Sequence, residues 1–158
     1  MPLNAAIRGM NARTCPPGLL DCSRHSEEAD MTLNDEIESF AVPGAIAETL
    51  QRYIDGARTG DIALLRSAFA EGARVSGSYG GKPVTWSLGE FCDAVTRGGP
   101  APGLQARVVS IEPAGGAAMA RLEALDWRGT RYTDFFVMVR RDGDWRIDSK
   151  VFHAHARA

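Results

Sequence analysis

The stretch from Tyr132 to His153 constrains the fold more than any other part of the sequence. Two runs of β-branched and aromatic residues flank the pair Asp142-Gly143, and an Asp-Gly pair between such runs is the strongest short-range signal of a β-hairpin. Because side chains alternate between the faces of a strand, one face of this ribbon should wall a pocket and the other should meet a partner or water. The predicted register pairs Arg141 with Asp144, Val139 with Arg146, Val137 with Asp148 and Phe135 with Lys150.

Composition indicates one ordinary domain with room for a core, because the 158 residues are 44% hydrophobic and 24% charged. The net charge of −2 provides no basic field for nucleic acid or an anionic membrane, and no apolar run approaches the roughly 20 residues that span a bilayer. Three cysteines, Cys15, Cys22 and Cys92, cannot all pair internally, which favours a reduced, cytoplasmic location. Cys15 and Cys22 with His25 match no standard zinc spacing, so no metal site is expected.

Residues 1–40 differ from the rest of the chain. Pro16-Pro17-Gly18 interrupts any regular element, and residues 23–30 form a polar run without periodicity. We therefore expect residues 1–40 to be a disordered or loosely docked leader, followed by a single domain at residues 41–158.

The next segment has the period of helices. Pro43 suits a first helical turn, and apolar residues then recur every three or four positions, which places Tyr53 on a buried stripe. Asp61 is the predicted N-cap of a second helix, and Ser87 with Glu90 forms a capping box that begins a third. The predicted apolar stripes are Ile46, Leu50, Tyr53, Ile54 and Ala57; Ile62, Leu65 and Phe69; and Leu88, Phe91, Cys92 and Val95.

The remaining segments have strand character. Residues 73–79 and 82–86 flank Gly80-Gly81 as a short, irregular hairpin, and strands at 104–111 and 117–127 precede the ribbon. The order predicts an α+β domain in which three helices pack on a four-stranded antiparallel sheet. A strongly twisted sheet around helices leaves a conical cavity, a natural place for a small ligand.

Several motifs resemble those of the nuclear transport factor 2-like superfamily, which has a cystatin-like α+β fold. They are Tyr53-Ile54-Asp55 with Thr59-Gly60-Asp61, residues 69–75, and residues 142–147. The resemblance covers roughly residues 43–156, and the ending at 145–153 is most similar to the group labelled putative lumazine-binding, close to the SnoaL-like polyketide cyclases. It implies three N-terminal helices packed on a curved four-stranded antiparallel sheet with a short extra hairpin. It does not imply a reaction, since one fold hosts many functions.

Tyr53 is the first candidate site residue. The resemblance to ketosteroid isomerases implies that a tyrosine here donates a hydrogen bond to a developing enolate; the alternative is a core tyrosine bonded to a backbone carbonyl or water. The position of the isomerase base falls on Gly77, and the second acid of those enzymes aligns near Val137. Steroid isomerisation is therefore not expected.

Further candidates lie on the last two strands and the first hairpin. Lys150, Asp148 and Phe152 share one face of the last strand, and the family match favours that face inward, beside Phe135 and Val137. Alternation alone leaves the opposite choice open, and a bulge could switch the register. Tyr79 and Trp86 are candidates for stacking on a flat ligand at the mouth of the cone, or for ordinary hydrophobic cover. Phe136, Met138 and Val151 would then form a sheet-to-sheet dimer contact.

Three polar residues near the strand ends have plainer interpretations. Asp134 is expected on the face of Phe136, where it bridges to a partner subunit, accepts from Arg131 or is simply exposed. His153 and His155 share a face and could chelate a metal, but a third ligand is not evident, so a frayed C-terminus is favoured.

These features predict a small-molecule-binding domain. Tyr53, Lys150 and Asp148 are the candidate catalytic residues for a simple acid–base step such as cyclisation, isomerisation or dehydration, with no cofactor. The ligand would contact Tyr79, Trp86, Phe135, Val137 and Phe152. The alternatives are a non-catalytic ligand sensor or carrier, and a dimeric interaction module with a filled core.

Overall fold

The computed structural model describes residues 42–156. The predicted leader at residues 1–40, with Cys15, Cys22 and His25, lies outside the described residues. Within them the chain forms three helices and six strands. The helices are α1 (42–59), α2 (Ile62–Ser67) and α3 (Leu88–Gly98). The strands are β1 (Phe69–Tyr79), β2 (Lys82–Ser87), β3 (Gln105–Ala114), β4 (Ala117–Trp127), β5 (Thr130–Arg141) and β6 (Asp144–Ala154).

The helix α1 buries the stripe that its periodicity predicts. Gly60 follows the helix with a φ of 78°, a left-handed conformation that suits glycine at a helix end. Gly56 lies so close to α2 that a Cβ there would be 2.5 Å from the Leu65 backbone nitrogen, so the two helices meet backbone to backbone. The buried stripe residues are Ile46, Leu50, Tyr53, Ile54 and Ala57.

Both predicted helix starts are confirmed, but the end of α2 is not where the periodicity put it. Asp61 accepts from the Leu64 amide, and Ser87 with Glu90 forms the capping box. Phe69, predicted on the α2 stripe, instead begins β1 and pairs with Ile147 on β6. Phe69 would be buried as a helix or a strand residue, and its pairing with the distant strand β6 fixes the strand conformation.

The sheet differs from the predicted four-stranded antiparallel one. It is six-stranded, in the order β2-β1-β6-β5-β4-β3, and it is mixed because β1 runs parallel to β6. The predicted extra hairpin is therefore part of the main sheet. Its pairing joins Val75 to Lys150, residues 75 positions apart in the chain, which no local pattern indicates.

One sheet face packs against the helices and is called the inner face; it carries Leu122, Phe136, Met138 and Ile147, all buried. The other is the outer face. Thr49 of α1 donates to the Trp145 carbonyl of β6 at 3.1 Å, which ties the first helix to the last strand. Within residues 42–156, no helix is both long and apolar enough to cross a membrane.

Candidate functional site

Three ionisable side chains meet between α1 and the inner face of the sheet. The Lys150 Nζ donates to the Tyr53 hydroxyl at 2.5 Å, and that hydroxyl donates to Asp134 Oδ2 at 2.8 Å. The same Oδ2 lies 2.9 Å from Lys150 Nζ. We call these three residues the buried triad. Its members come from α1, β5 and β6, so tertiary structure alone brings them together.

Burial makes this group unusual. Tyr53 is 1% exposed, Asp134 0% and Lys150 2%. Charged groups are rarely this buried unless they are paired, because removing an ion from water is costly. The hydrogen bonds and the ion pair satisfy Lys150 and Tyr53, whereas Asp134 Oδ1 is buried without a partner among the described residues.

A bulge in β6 turns Lys150 inward. The ribbon follows the predicted register at Arg141–Asp144 and Val139–Arg146. It then shifts, so that Val137 pairs with Ser149 and Met138 with Ile147. Asp148 is the extra residue, and such an insertion changes which side chains face inward.

The predicted inward position of Asp148 is wrong for this reason. Its side chain is half exposed, with one carboxylate oxygen 3.6 Å from Arg141 on the surface. The same shift explains two further errors: Phe135 and Val137 lie on the outer face, 49% and 50% exposed. Phe136 and Met138, predicted in a dimer contact, are instead core residues, while Val151 does lie outward at 50% exposure.

Burial and charge move the pKa values of the triad in opposite directions. Burial, followed by the charge and hydrogen bond of Asp134, holds the pKa of the Tyr53 phenol well above its usual range. Burial lowers the pKa of the Lys150 amine, and Asp134 partly opposes that shift. The phenol therefore stays protonated, and the amine gives up a proton more readily than a surface lysine does.

Four aromatic rings surround the Lys150 ammonium. The ring centroids of Tyr53, Phe91, Trp127 and Phe152 lie 4.9, 5.2, 5.3 and 5.4 Å from Nζ. At these distances the ring faces attract a cation, and the attraction is strongest where water is excluded. The site is therefore built to hold a positive charge at this nitrogen.

A pocket of about 490 Å³ opens beside the triad, a volume typical of small-molecule sites. Lys150 is the one triad residue on its wall. Tyr79, Trp86 and Phe152 lie on that wall as well, with Trp86 stacked on Phe152 at 5.9 Å between centroids. The other lining residues are Phe91, Ala94, Val95, Arg97, Gly98, Trp127, Arg128 and Tyr132.

The charged side chains that line the pocket are all cations. Arg97, Arg128 and Lys150 line the pocket, and no described Asp or Glu does. Arg128 donates to the carbonyls of Val95 and Gly99 at 3.3 and 2.9 Å, which fixes it beside the C-terminal end of α3. A wall of aromatic and apolar residues that also carries three cations favours a flat ligand that carries negative charge or an electron-rich oxygen.

Sequence reasoning missed several residues of this site. Asp134 was expected at the subunit surface or an exposed strand end; the structure instead buries it in the triad. The available signal was an aspartate within an apolar run and on the face of Phe136. Phe91, Trp127 and Tyr132 also line the pocket, and nothing in their spacing separates them from ordinary core aromatics.

The two histidines form a small polar group at the end of β6. His155 Nε2 lies 2.9 Å from the Thr133 hydroxyl, and the His153 ring meets the His155 ring edge-on. Among the described residues, no cluster of three metal-ligating side chains exists.

Most of the chain matches a known protein family. The model of the family described as "Putative lumazine-binding" matches residues 23–153. The chain belongs to this family. A curated relative, "Aldolase FrzH" from Cladobotryum sp., is 25% identical over 115 residues, which covers 72% of this chain and 91% of the relative.

Two solved structures confirm the predicted superfamily. An NTF2-like (nuclear transport factor 2-like) protein of unknown function from Methylobacillus flagellatus is 32% identical, with a TM-score of 0.69, covering 77% of this chain and 94% of its own. Another from Shewanella baltica is 30% identical, with a TM-score of 0.70, covering 74% and 96%.

In this chain Gly77 lies at the position of the isomerase base, and the structure leaves no room there for a side chain. A Cβ on Gly77 would lie 2.3 Å from the Phe152 carbonyl oxygen and 2.7 Å from the Phe152 ring. Val137, aligned near the second isomerase acid, points outward. The buried carboxylate on this strand is Asp134, so the site carries a different arrangement of acidic groups.

Proposed function

We propose that this protein binds a small, carbonyl-bearing metabolite in the aromatic pocket and catalyses a cofactor-independent acid–base step on it. One observation carries the proposal: Lys150 lines the pocket and is hydrogen-bonded to both Tyr53 and Asp134. A titratable group with a shifted pKa in an apolar cleft is a candidate functional group with a physical reason behind it.

The chemistry centres on the charge that develops on a carbonyl oxygen. After passing a proton to Asp134, the Lys150 amine would take the proton from the α carbon of the ligand. The resulting ammonium would donate to the carbonyl oxygen and stabilise the enolate, and a fixed donor in a dry site is worth about a hundredfold or more in rate. Tyr53 does not line the pocket, so its part is that of a positioning residue, which orients Lys150 and passes protons between Lys150 and Asp134.

The curated relative narrows the reaction class. Its name describes an aldolase, and an aldol reaction joins an enolate carbon to a second carbonyl carbon. Stabilising an enolate is what the Lys150 ammonium would do. We therefore favour a carbon–carbon bond-forming step of the aldol type over dehydration or double-bond isomerisation.

A non-catalytic carrier is the second candidate, and a specific observation favours it. Lys150 and Tyr53 already have partners within the triad, and neither Tyr53 nor Asp134 lines the pocket. A satisfied polar cluster of this kind is also compatible with a structural role beneath a binding pocket.

Ligand binding is tested first, by thermal shift with flat carbonyl compounds, because a ligand that binds the folded state raises the melting temperature. Benzaldehyde, acetophenone, 2-formylbenzoate and lumazine are suitable probes, and each charged probe is matched by its uncharged amide or ester. We expect the anion to bind more tightly than its neutral match, and Arg97→Gln to reduce that preference. Arg107→Gln, an exposed change outside the pocket wall, is the control.

Turnover then separates the two candidates. For an enzyme, Lys150→Met should lower kcat by about a hundredfold or more, since a fixed oxyanion donor is lost. For a carrier, neither wild type nor the variant shows turnover, and the change alters affinity. A pocket that binds none of the carbonyl probes contradicts both.

We infer in addition that two copies associate through the outer face. Met119 on β4 pairs with Val137 on β5, and Phe135 pairs with Val151 on β6. These four side chains are 49–57% exposed, and they form an apolar surface across three neighbouring strands. Contiguous exposed apolar surface of this kind marks an interaction site.

A further inference from the structure

We propose that Lys150 is a nucleophile whose Nζ forms an imine with the carbonyl carbon of a flat aldehyde or ketone in the pocket. This inference rests on the proposed function, because it needs a carbonyl compound in that pocket. It goes further by assigning a covalent bond to one atom, where the proposed function needs only a hydrogen bond.

The choice of residue at this position is informative. The chain has two lysines and sixteen arginines, and the other lysine, Lys82, is exposed on β2. The other cations of the pocket wall, Arg97 and Arg128, are arginines. A guanidinium stays protonated and does not act as a nucleophile, whereas a buried amine can lose its proton and attack a carbonyl.

The surroundings of Nζ provide for the proton transfers. Asp134 Oδ2, at 2.9 Å, can accept an ammonium proton. The Tyr53 hydroxyl, 2.5 Å from Nζ and 2.8 Å from Oδ2, can relay that proton back to the nitrogen. Burial lowers the pKa of this amine, which raises the fraction of Lys150 present as the reactive free base.

The reaction is balanced without any further reagent. A proton leaves Nζ for Asp134, the nitrogen lone pair forms the C–N bond, and the carbonyl π electrons move to oxygen. The nitrogen passes one proton to that oxygen. Asp134 returns its proton to the nitrogen, directly or through the Tyr53 hydroxyl, and the nitrogen passes this proton to the oxygen as well. The C–O bond then breaks, water leaves, and the nitrogen lone pair forms the C=N bond. Ammonium and carbonyl compound thus give iminium and water.

The iminium suits this site because it carries the same charge as the ammonium that it replaces. The iminium nitrogen keeps one of the three ammonium protons and the same single positive charge, so the ion pair with Asp134 is retained. The four rings around Nζ attract an iminium as they attract an ammonium. The buried group therefore passes from one cation to another without leaving a carboxylate unpaired.

Reductive trapping on the full chain tests the inference. The protein is incubated with benzaldehyde and sodium cyanoborohydride, which adds hydride to the iminium carbon and leaves a stable secondary amine. Each labelled lysine gains the mass of benzaldehyde less one oxygen atom, and peptide mapping resolves Lys150, Lys82 and the terminal amine. We expect Lys150 to be labelled about tenfold faster than Lys82 or more, since the pocket holds the bound aldehyde beside Nζ and so raises its effective concentration there.

Three controls keep the result interpretable. Labelling of Lys150 should saturate with benzaldehyde, and the two lysines should react at similar rates in guanidinium chloride. Lys82→Arg should leave labelling of Lys150 unchanged, and Lys150→Arg should remove it. The wild-type comparison stands even if Lys150→Arg does not fold.

The possible outcomes separate this inference from the proposed function. If benzaldehyde raises the melting temperature but Lys150 reacts no faster than Lys82, the imine is overturned and the binding pocket stands. If benzaldehyde neither binds nor labels Lys150, both the imine and the benzaldehyde-like ligand class are overturned.

Discussion

Lys150 and Asp134 face each other across neighbouring strands, with Nζ 2.9 Å from Oδ2 and side chains 3% and 0% exposed. Their strands pair antiparallel, and the β6 bulge at Asp148 is what brings Lys150 to the face that carries Asp134. The desolvation of the two ions offsets much of the Coulomb attraction in a buried pair. Removing one partner leaves the other charge buried and unpaired, which strongly destabilises the folded protein. Removing one charge and removing both should therefore differ sharply in their effect on the free energy of unfolding.

Lys150→Met should lower the free energy of unfolding by about 3–5 kcal/mol, because it leaves the Asp134 carboxylate buried and unpaired. The double variant Lys150→Met/Asp134→Leu should lose much less than the sum of the two single changes. Urea denaturation of the two single variants and the double variant measures this coupling. Strictly additive losses would show that the two charges do not interact in the folded protein.

Tyr53→Phe keeps the buried ring and removes the hydroxyl that joins Lys150 to Asp134. We expect a loss of about 1–3 kcal/mol of stability, the cost of unmaking buried hydrogen bonds. Since Tyr53 does not line the pocket, ligand affinity should change little, whereas kcat of an acid–base enzyme should fall. Tyr132→Phe removes a phenol from the pocket wall itself and is the matched control. A fall in affinity with unchanged kcat in Tyr53→Phe would argue against a positioning role.

Glu123 on the outer face should make the protein acid-sensitive in a defined pH window. Arg121, Arg131 and Thr133 donate to its carboxylate at 2.7–3.0 Å, and these bonds lower its pKa from 4.5 to about 2. Because the pKa is lower in the folded state, the stabilisation is full above pH 4.5 and is lost as the pH falls to about 2. The shift amounts to on the order of 1–2 kcal/mol once solvent screening is allowed for.

Glu123→Gln should flatten that part of the stability curve. Urea denaturation at intervals between pH 6 and pH 2 measures it, with Glu71→Gln, an exposed change at the start of β1, as the control. Equal pH dependence of wild type and Glu123→Gln would contradict the assignment.

Local patterns were enough for the stripe of α1, the starts of α2 and α3, and the ribbon turn. The stripe through Tyr53, the caps at Asp61 and Ser87, and the Arg141–Asp144 pairing each depend on residues within a few positions of one another. Those signals act before tertiary structure forms. The confirmed resemblance to the nuclear transport factor 2-like superfamily added the α+β class, but the sheet has six strands instead of the predicted four.

The errors share a physical origin in long-range pairing. The parallel contact of β1 with β6 joins distant segments, and it takes Phe69 out of the second helix. The bulge at Asp148 changes the parity of β6 relative to β5, so Lys150 faces inward as predicted while Phe135 and Val137 do not. A one-residue insertion moves every later side chain to the other face, and the sequence of a strand does not mark where it occurs.

Val137→Asp tests the proposed dimer, since it adds a charge at the centre of the apolar outer face. We expect light scattering to show wild type at twice the 17.0 kDa of one chain, and the variant as a monomer. A standard interface buries about 800 Å² on each partner, and a central unpaired charge disrupts it. Lys82→Asp, at the opposite end of the sheet on β2, should remain dimeric. A monomeric wild type would contradict the dimer directly.

Gly77→Asp tests whether a carboxylate can be accommodated at the position of the isomerase base. The new Cβ would lie 2.3 Å from the Phe152 carbonyl oxygen and 2.7 Å from its ring, so β6 would have to move away from β1. Overpacking of this kind costs about 1–3 kcal/mol, and a buried carboxylate without a partner adds to that cost. Gly77→Ala separates the two contributions, because it adds the Cβ without the charge.

We expect the alanine variant to be destabilised and the aspartate variant more so, with neither gaining steroid isomerase activity. Urea denaturation and an assay with a Δ5-3-ketosteroid measure the two effects. Since Phe152 stacks on Trp86, the shift of β6 should also weaken ligand binding in the aromatic pocket. An aspartate variant as stable as wild type would mean that β1 and β6 part easily at Phe152. The position of Lys150, two residues earlier on the same strand, would then be less fixed than the buried triad requires.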